Sequence, residues 1–266
     1  MMEEVTGQKS VILGLLDKGK DEKKSEVRQK AEASILATAG DEAIPAIGVT
    51  RLITQIVEDF CSSAWPGERI QGLFALRELT FVLEKDRVQC YVQQITKPVL
   101  LSFSDEDAQV RYKACEAFYN IAKVMRSGIL QDMGAVFDGL CRLYTDVEQN
   151  IKEGAQSLDR LVRDIVVEQR HFDYSALIPL ITSRIHVLNP SVRQLVLGWI
   201  VLLDSLPQVD MIAFLPHYLE GLFGILASDN RDFRLKAQEC LENLLSEITR
   251  SAAERPERAQ RAIAQA

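Results

Sequence analysis

A register that returns every 41 or 42 residues constrains this chain more than any other feature. Between Asp105 and Val124, the residues Val110, Ala114, Ala117, Phe118 and Ile121 fall at three-and-four spacing, the stripe that a helix buries. Asp105 and Asp107 stand where an N-cap belongs, with acidic side chains toward the positive helix end. Aligned on Val110, the pattern recurs at Val27, Glu68, Ile151, Val192 and Phe233, giving intervals of 41, 42, 41, 41 and 41 residues. The next residue is Arg28, Arg69, Arg111, Lys152, Arg193 or Arg234, a cation each time, although Lys and Arg fill only 31 of 266 positions. Four positions past the anchor come Ala31, Gly72, Ala114, Ala155, Val196 and Ala237, small in five of six. Eleven past it come Thr38, Leu79, Ile121, Val162, Leu203 and Leu244, mostly core material.

A period near forty with two helices per period marks HEAT or armadillo repeats, and the cation-then-small opening of each second helix favours HEAT. The expected fold is all-α, a HEAT-repeat α-solenoid of about six helical hairpins. It forms one solenoid over residues 1–249, with 250–266 a polar tail or the start of a further helix. Each hairpin then needs its neighbours to close a core. A net charge of −7 argues against nucleic acid or an anionic membrane as a general partner. The longest run without a polar residue, Leu195 to Leu203, falls well short of the about twenty residues a spanning helix needs. The expectation is a soluble, cytoplasmic protein that meets membranes only peripherally. Five cysteines, an odd number without a CxxC pair, read as buried reduced thiols.

The cation ladder has two readings. Asp105 lies six before Arg111, Asp146 six before Lys152 and Glu22 six before Arg28. Each cation is therefore expected to bond an acidic or carbonyl group in the preceding turn and tie units together. The other reading is an exposed stripe for an acidic partner segment or lipid headgroups. In the turn Trp65-Pro66-Gly67, Trp65 is expected to staple the start of the following helix, with an exposed, partner-covered aromatic as the alternative. Trp199 falls on a core register, while Asp159 interrupts one and calls for a bond to Arg160, Arg163 or a neighbouring unit. Pro98, Pro179 and Pro216 sit inside first helices, which they should bend.

No reacting group assembles in the sequence. The three histidines, His171, His186 and His217, form no HExxH, and GxGxxG, P-loop and GxSxG patterns are absent. The reading is of a protein that is not an enzyme, with no cofactor and no metal.

From about Leu101 to Ile248 the chain closely resembles the vacuole-morphology scaffold family, also called ArPIKfyve, the associated regulator of the kinase PIKfyve. The resemblance rests on Val110–Val124, Val136–Leu143, Leu158–Val166, Phe172–Ile185, Ser191–Pro207 and Phe214–Ser228, and more loosely on Glu68–Leu76. It implies a non-catalytic scaffold on endosomal and vacuolar membranes that organises a PIKfyve-type lipid kinase with a Sac-domain phosphatase. Such a scaffold controls phosphatidylinositol 3,5-bisphosphate. The family's N-terminal repeats are associated with kinase binding, and a C-terminal region outside this chain with phosphatase binding. The alternative is a generic HEAT adaptor, a phosphatase scaffold or transport receptor, that takes linear peptides.

Overall fold

The computed structural model describes residues 44–83, 85–169, 172–207 and 209–264. The first repeat, with its anchor Val27 and its cation Arg28, lies outside the described residues. Among those described there are five helical hairpins and no strand, an all-α fold of the HEAT-repeat class. The chain divides into two compact units, Met1–Arg170 and His171–Ala266.

In the first unit, α1 (Ile44–Ile56) runs into a π-helical turn, Val57–Cys61, before α2 (Pro66–Val82). The next hairpin joins α3 (Lys85–Val88) and α4 (Val92–Leu101) to α5 (Ala108–Met125), and the third joins α6 (Met133–Tyr144) to α7 (Gln149–Glu168). Polar caps fix where helices start: the Asp107 carboxylate accepts from the N–H groups of Gln109 and Val110 at 2.8 and 3.1 Å. The register then decides the burial. Val110, Ala114, Ala117, Phe118 and Ile121 are all fully buried, as are Leu79, Ala155 and Val162. The anchor Glu68 departs from this pattern, since it is exposed and accepts from the Ser63 hydroxyl.

Small residues at the fourth register position bring backbones together. A Cβ on Gly72 would lie 2.6 Å from Cys61 Sγ and 2.9 Å from the Cys61 backbone nitrogen. The π-helical turn thus packs directly against α2, which stacks in turn on α5, and α5 on α7. Phe103 meets Phe118 edge-on at 5.7 Å across the α5 hairpin.

The second unit contains α8 (Leu177–Thr182), α9 (Pro190–Asp204), α10 (Met211–Leu226) and α11 (Arg231–Ala264). Asn189 caps α9 through Ser191 and Val192, with Pro190 in the first helical position. Trp199 is fully buried on α9. The first helix of this hairpin is much shorter than the sequence suggests. Pro179 lies in its first turn, and after Thr182 the backbone tightens into i-to-i+3 bonds, Arg184 to Ile181 and Ile185 to Thr182. Pro98 and Pro216 do lie inside their helices. Helix α11 runs on to Ala264, through the stretch read as a polar tail or a further helix.

The thiols differ from expectation at one position. Cys115 and Cys240 are buried and Cys61 and Cys141 half-buried, and burial pushes all four up to about 12. Cys90 is exposed.

The Gly72 contact makes a direct prediction. Gly72→Ala forces a methyl against Cys61 backbone and should lower unfolding free energy by about 1–3 kcal/mol. Gly67→Ala meets no atom within 4 Å and should leave stability unchanged or raise it. Denaturant unfolding of the two variants checks the difference.

Candidate partner-binding surface

Among the described residues, each arginine that follows an anchor donates to a carbonyl of its own hairpin turn, and in the first unit it also reaches an aspartate of the next hairpin. In the first unit Arg69 grips Asp105 with both arms of its fork, Nε to Oδ2 and Nη2 to Oδ1, each at 2.7 Å. Its Nη1 donates to the Ser63 and Ala64 carbonyls at 3.0 and 3.1 Å. Arg111 repeats the arrangement one hairpin later, with Asp146 at 2.6 and 3.1 Å and the Asp105 and Glu106 carbonyls at 2.8 and 3.1 Å. The acid six residues before Arg111 therefore gives it a carbonyl, while its carboxylate serves the arginine of the previous hairpin.

Each carboxylate is also locked from its own side, because Asp105 accepts from the Asp107 N–H at 2.9 Å and Asp146 from the Glu148 N–H at 3.0 Å. Burial alone would push Asp146 up, but hydrogen bonds from Arg111 and the Glu148 and Val147 N–H groups hold its carboxyl below the usual range. The same register carries Val187 and Ser228 in the last two repeats, so the carboxylate disappears from the pattern. Carbonyl acceptors persist: Arg193 donates to Val187, and Arg234 to Ser228 and Asp229. Lys152 is half-buried, and its ammonium forms no ion pair within 4 Å among the described residues.

Trp65 does not act as a staple. It is the N-cap residue of α2, carries no capping side-chain bond and is 71% exposed. Pro66 at the first helical position starts the helix without help from the indole. Val147, in the turn before α7, is 84% exposed. The hairpin turns of the first unit thus present large apolar side chains to solvent at two places.

A second surface feature escaped the sequence reading. The Arg77 guanidinium lies 4.9 Å from the Phe74 ring centre, and the Lys113 ammonium lies 5.6 Å from the same ring and 5.2 Å from that of Tyr112. Lys123 lies 4.4 Å from the Tyr119 ring. Glu116 links the two helices by accepting from Lys113 at 2.7 Å with Arg77 at 3.8 Å. These residues occupy positions that the repeat alignment does not share, so the periodicity conceals them.

Asp159 finds its bonds within the hairpin. The buried Tyr144 hydroxyl donates to it at 3.1 Å, and Arg163 pairs with it one turn along α7. Among the described residues no group of three or more His, Cys, Asp or Glu could hold a metal ion. No helix among them is long and apolar enough to cross a membrane.

Asp146 gives a prediction with a defined pH window. Its carboxyl is lower in the folded state than unfolded, so the bond stabilises above the unfolded carboxylate range and the benefit disappears as pH falls through the folded value. The side chains of Arg111 and Asp146 are only 15% and 5% exposed, so solvent screens the pair weakly. Asp146→Asn should cost about 1–3 kcal/mol at pH 7, and the gap to the unmodified chain should close as pH falls below the carboxylate range. Chemical denaturation across pH measures this, and a gap independent of pH would contradict it.

A family model described as the vacuolar 14 Fab1-binding region matches residues 67–164, from the first turn of α2 to near the end of α7. Protein VAC14 homolog of Arabidopsis thaliana is 43% identical over 203 residues, covering 76% of this chain and 27% of that protein. Protein VAC14 homolog of Schizosaccharomyces pombe is 32% identical over 242 residues, covering 77% and 30%. Vacuole morphology and inheritance protein 14 of Saccharomyces cerevisiae is 29% identical over 285 residues, covering 91% and 32%. The chain spans about a third or less of the length of these curated relatives.

Proposed function

The chain belongs to the VAC14 family, and from that premise we propose that it is a non-catalytic scaffold that holds a Fab1/PIKfyve-type phosphatidylinositol 3-phosphate 5-kinase. The observation that carries this reading is the Fab1-binding match over residues 67–164, which spans the stacked second helices α2, α5 and α7. The name of the Saccharomyces cerevisiae relative supports a peripheral role at vacuolar membranes, and the same role is proposed at endosomal ones.

In this reading the exposed indole of Trp65 and the aromatic–cation cluster around Phe74 and Tyr112 contact the kinase. Aromatic and arginine side chains on a rigid helical face are the groups that dominate binding energy at such interfaces. Of the ladder Arg28, Arg69, Arg111, Lys152, Arg193 and Arg234, the members Arg69 and Arg111 act one step back, by setting the spacing between hairpins through Asp105 and Asp146. A Sac-domain phosphatase joins the same assembly through a part of the family that lies outside this chain, and the complex controls phosphatidylinositol 3,5-bisphosphate.

The test is co-purification of a recombinant Fab1-type kinase with the chain, followed by affinity measurement on Trp65→Ala and Phe74→Ala. Binding by the unmodified chain, with a loss of about tenfold or more in each variant, is expected if these are central anchors. Unchanged affinity in both variants would move the interface elsewhere. No kinase binding, together with capture of unrelated linear peptides, would replace the scaffold reading with a general HEAT adaptor.

A further inference from the structure

A cleft of about 570 Å³ opens in the second unit between the end of α9 and helix α11. Asp204 and Ser205 line one wall, and Asn243, Ser246, Glu247 and Arg250 the other. It lies outside residues 67–164 and plays no part in the kinase reading.

The hydrogen-bonding capacity of this cleft is lopsided. The Ser205 hydroxyl donates to the Leu202 carbonyl at 2.6 Å and the Ser246 hydroxyl to the Glu242 carbonyl at 2.9 Å, so both spend their protons on their own helices. Their lone pairs remain, beside two carboxylates. Asp204 Oδ1 is buried and has no hydrogen-bond partner. A buried carboxylate oxygen without a donor is costly, and native proteins seldom leave one so. Arg250 is the one cation on the walls, and it makes no ion pair within 4 Å among the described residues.

The other groups around the cleft are acidic or neutral. Glu247 faces Asp204 from α11, and Glu239 and the Cys240 thiol lie on the same helix. From α10 come Asp210, whose carboxylate caps the helix at Ala213, and the Tyr218 phenol, which donates to the Met211 carbonyl at 2.9 Å. Burial, and then the charge of Glu247, pushes the Asp204 carboxyl up, as expected for acids facing one another without a cation between them. A divalent ion is a poor fit. Hard cations take six to eight oxygens, whereas no group of three His, Cys, Asp or Glu among the described residues could hold a metal. A guanidinium presents five donors in a planar fork that matches a carboxylate, and it sheds water more easily than an ammonium.

We propose that this cleft is the receptor for an arginine side chain on a basic linear segment of a partner protein, with Asp204 and Glu247 as its acceptors. Arg250 then stands at the rim as a competing cation that the ligand displaces or repels.

The probe is the peptide acetyl-Gly-Arg-Gly-Arg-Gly-amide, titrated into the whole chain while backbone amide resonances are followed by NMR. The control peptide carries citrulline, which keeps the shape of arginine and removes its charge. Saturable shifts at the end of α9 and along α11 are expected with arginine and not with citrulline. Asp204→Asn should weaken binding by about tenfold, the low end of a charge-assisted hydrogen bond, and Arg250→Ala should strengthen it. Glu247→Gln, which leaves the buried Asp204 oxygen in place, gives the same reading if Asp204→Asn fails to fold. Equal binding of the citrulline peptide would overturn the proposal, as would unchanged affinity in the Asp204 or Glu247 variant. Calcium alone reproducing the shifts while the peptide leaves the spectrum unchanged would assign the cleft to a metal ion instead. A failed titration here leaves kinase binding by residues 67–164 untouched, because the two experiments read different units.

Discussion

An arginine placed one residue past an anchor has to satisfy a planar fork of donors while holding two hairpin turns in register. In the first unit it does both. Arg69 and Arg111 each spend one nitrogen on the carbonyls of their own turn and the remaining donors on an aspartate of the next hairpin. That aspartate is itself pinned by a backbone N–H two residues on. An isolated surface ion pair contributes little. These pairs are mostly withdrawn from solvent, and their geometry is fixed from both sides. A helix pair that slid by one turn would break the fork and strand the carboxylate together.

The apolar packing depends on that registration. The first hairpin closes tightly only because the fourth register position is Gly72, against which Cys61 packs, and Ala114 and Ala155 at the same register are fully buried. Larger side chains there would spread the helices and lengthen the arginine–aspartate contact. Packing and ladder thus act on the same distance, one by allowing close approach and the other by fixing its phase. On a half-buried side of these helices Phe74, Tyr112 and Tyr119 lie under cations. A stiff repeat with aromatic side chains on such a side suits a scaffold better than a site that must reshape around a reacting substrate.

Much of this was legible in the residues themselves. The anchor, the small position and the eleventh position all have physical meaning at helical spacing, and the residues they marked on α5, α7 and α9 are buried. A cap was legible too, since Asp107 does what a short polar side chain does before a helix. The carboxylate partner of each arginine was not. Linear distance offers the acid six residues back, whereas stacking brings an acid from 35 or 36 residues ahead. Trp65 misled for a related reason: stapling needs a facing apolar partner, and Pro66 already sets the helix start. The short α8 ends where the backbone tightens into i-to-i+3 bonds after Thr182, which a periodic apolar pattern does not reveal. The Phe74 cluster and the Asp204 cleft lie outside the anchor, cation, small and eleventh positions, so the repeat pattern read from those positions does not gather them.

The central claim is that arginine and aspartate couple neighbouring hairpins. A double-mutant cycle on Arg69 and Asp105 tests it most directly, with Arg69→Ala, Asp105→Ala and both together, read by denaturant unfolding. The expected coupling energy is about 1–3 kcal/mol, with the double variant much less destabilised than the sum of the singles. Additive losses, within about 0.5 kcal/mol, would mean that the two side chains do not stabilise each other and that apolar stacking alone sets the register.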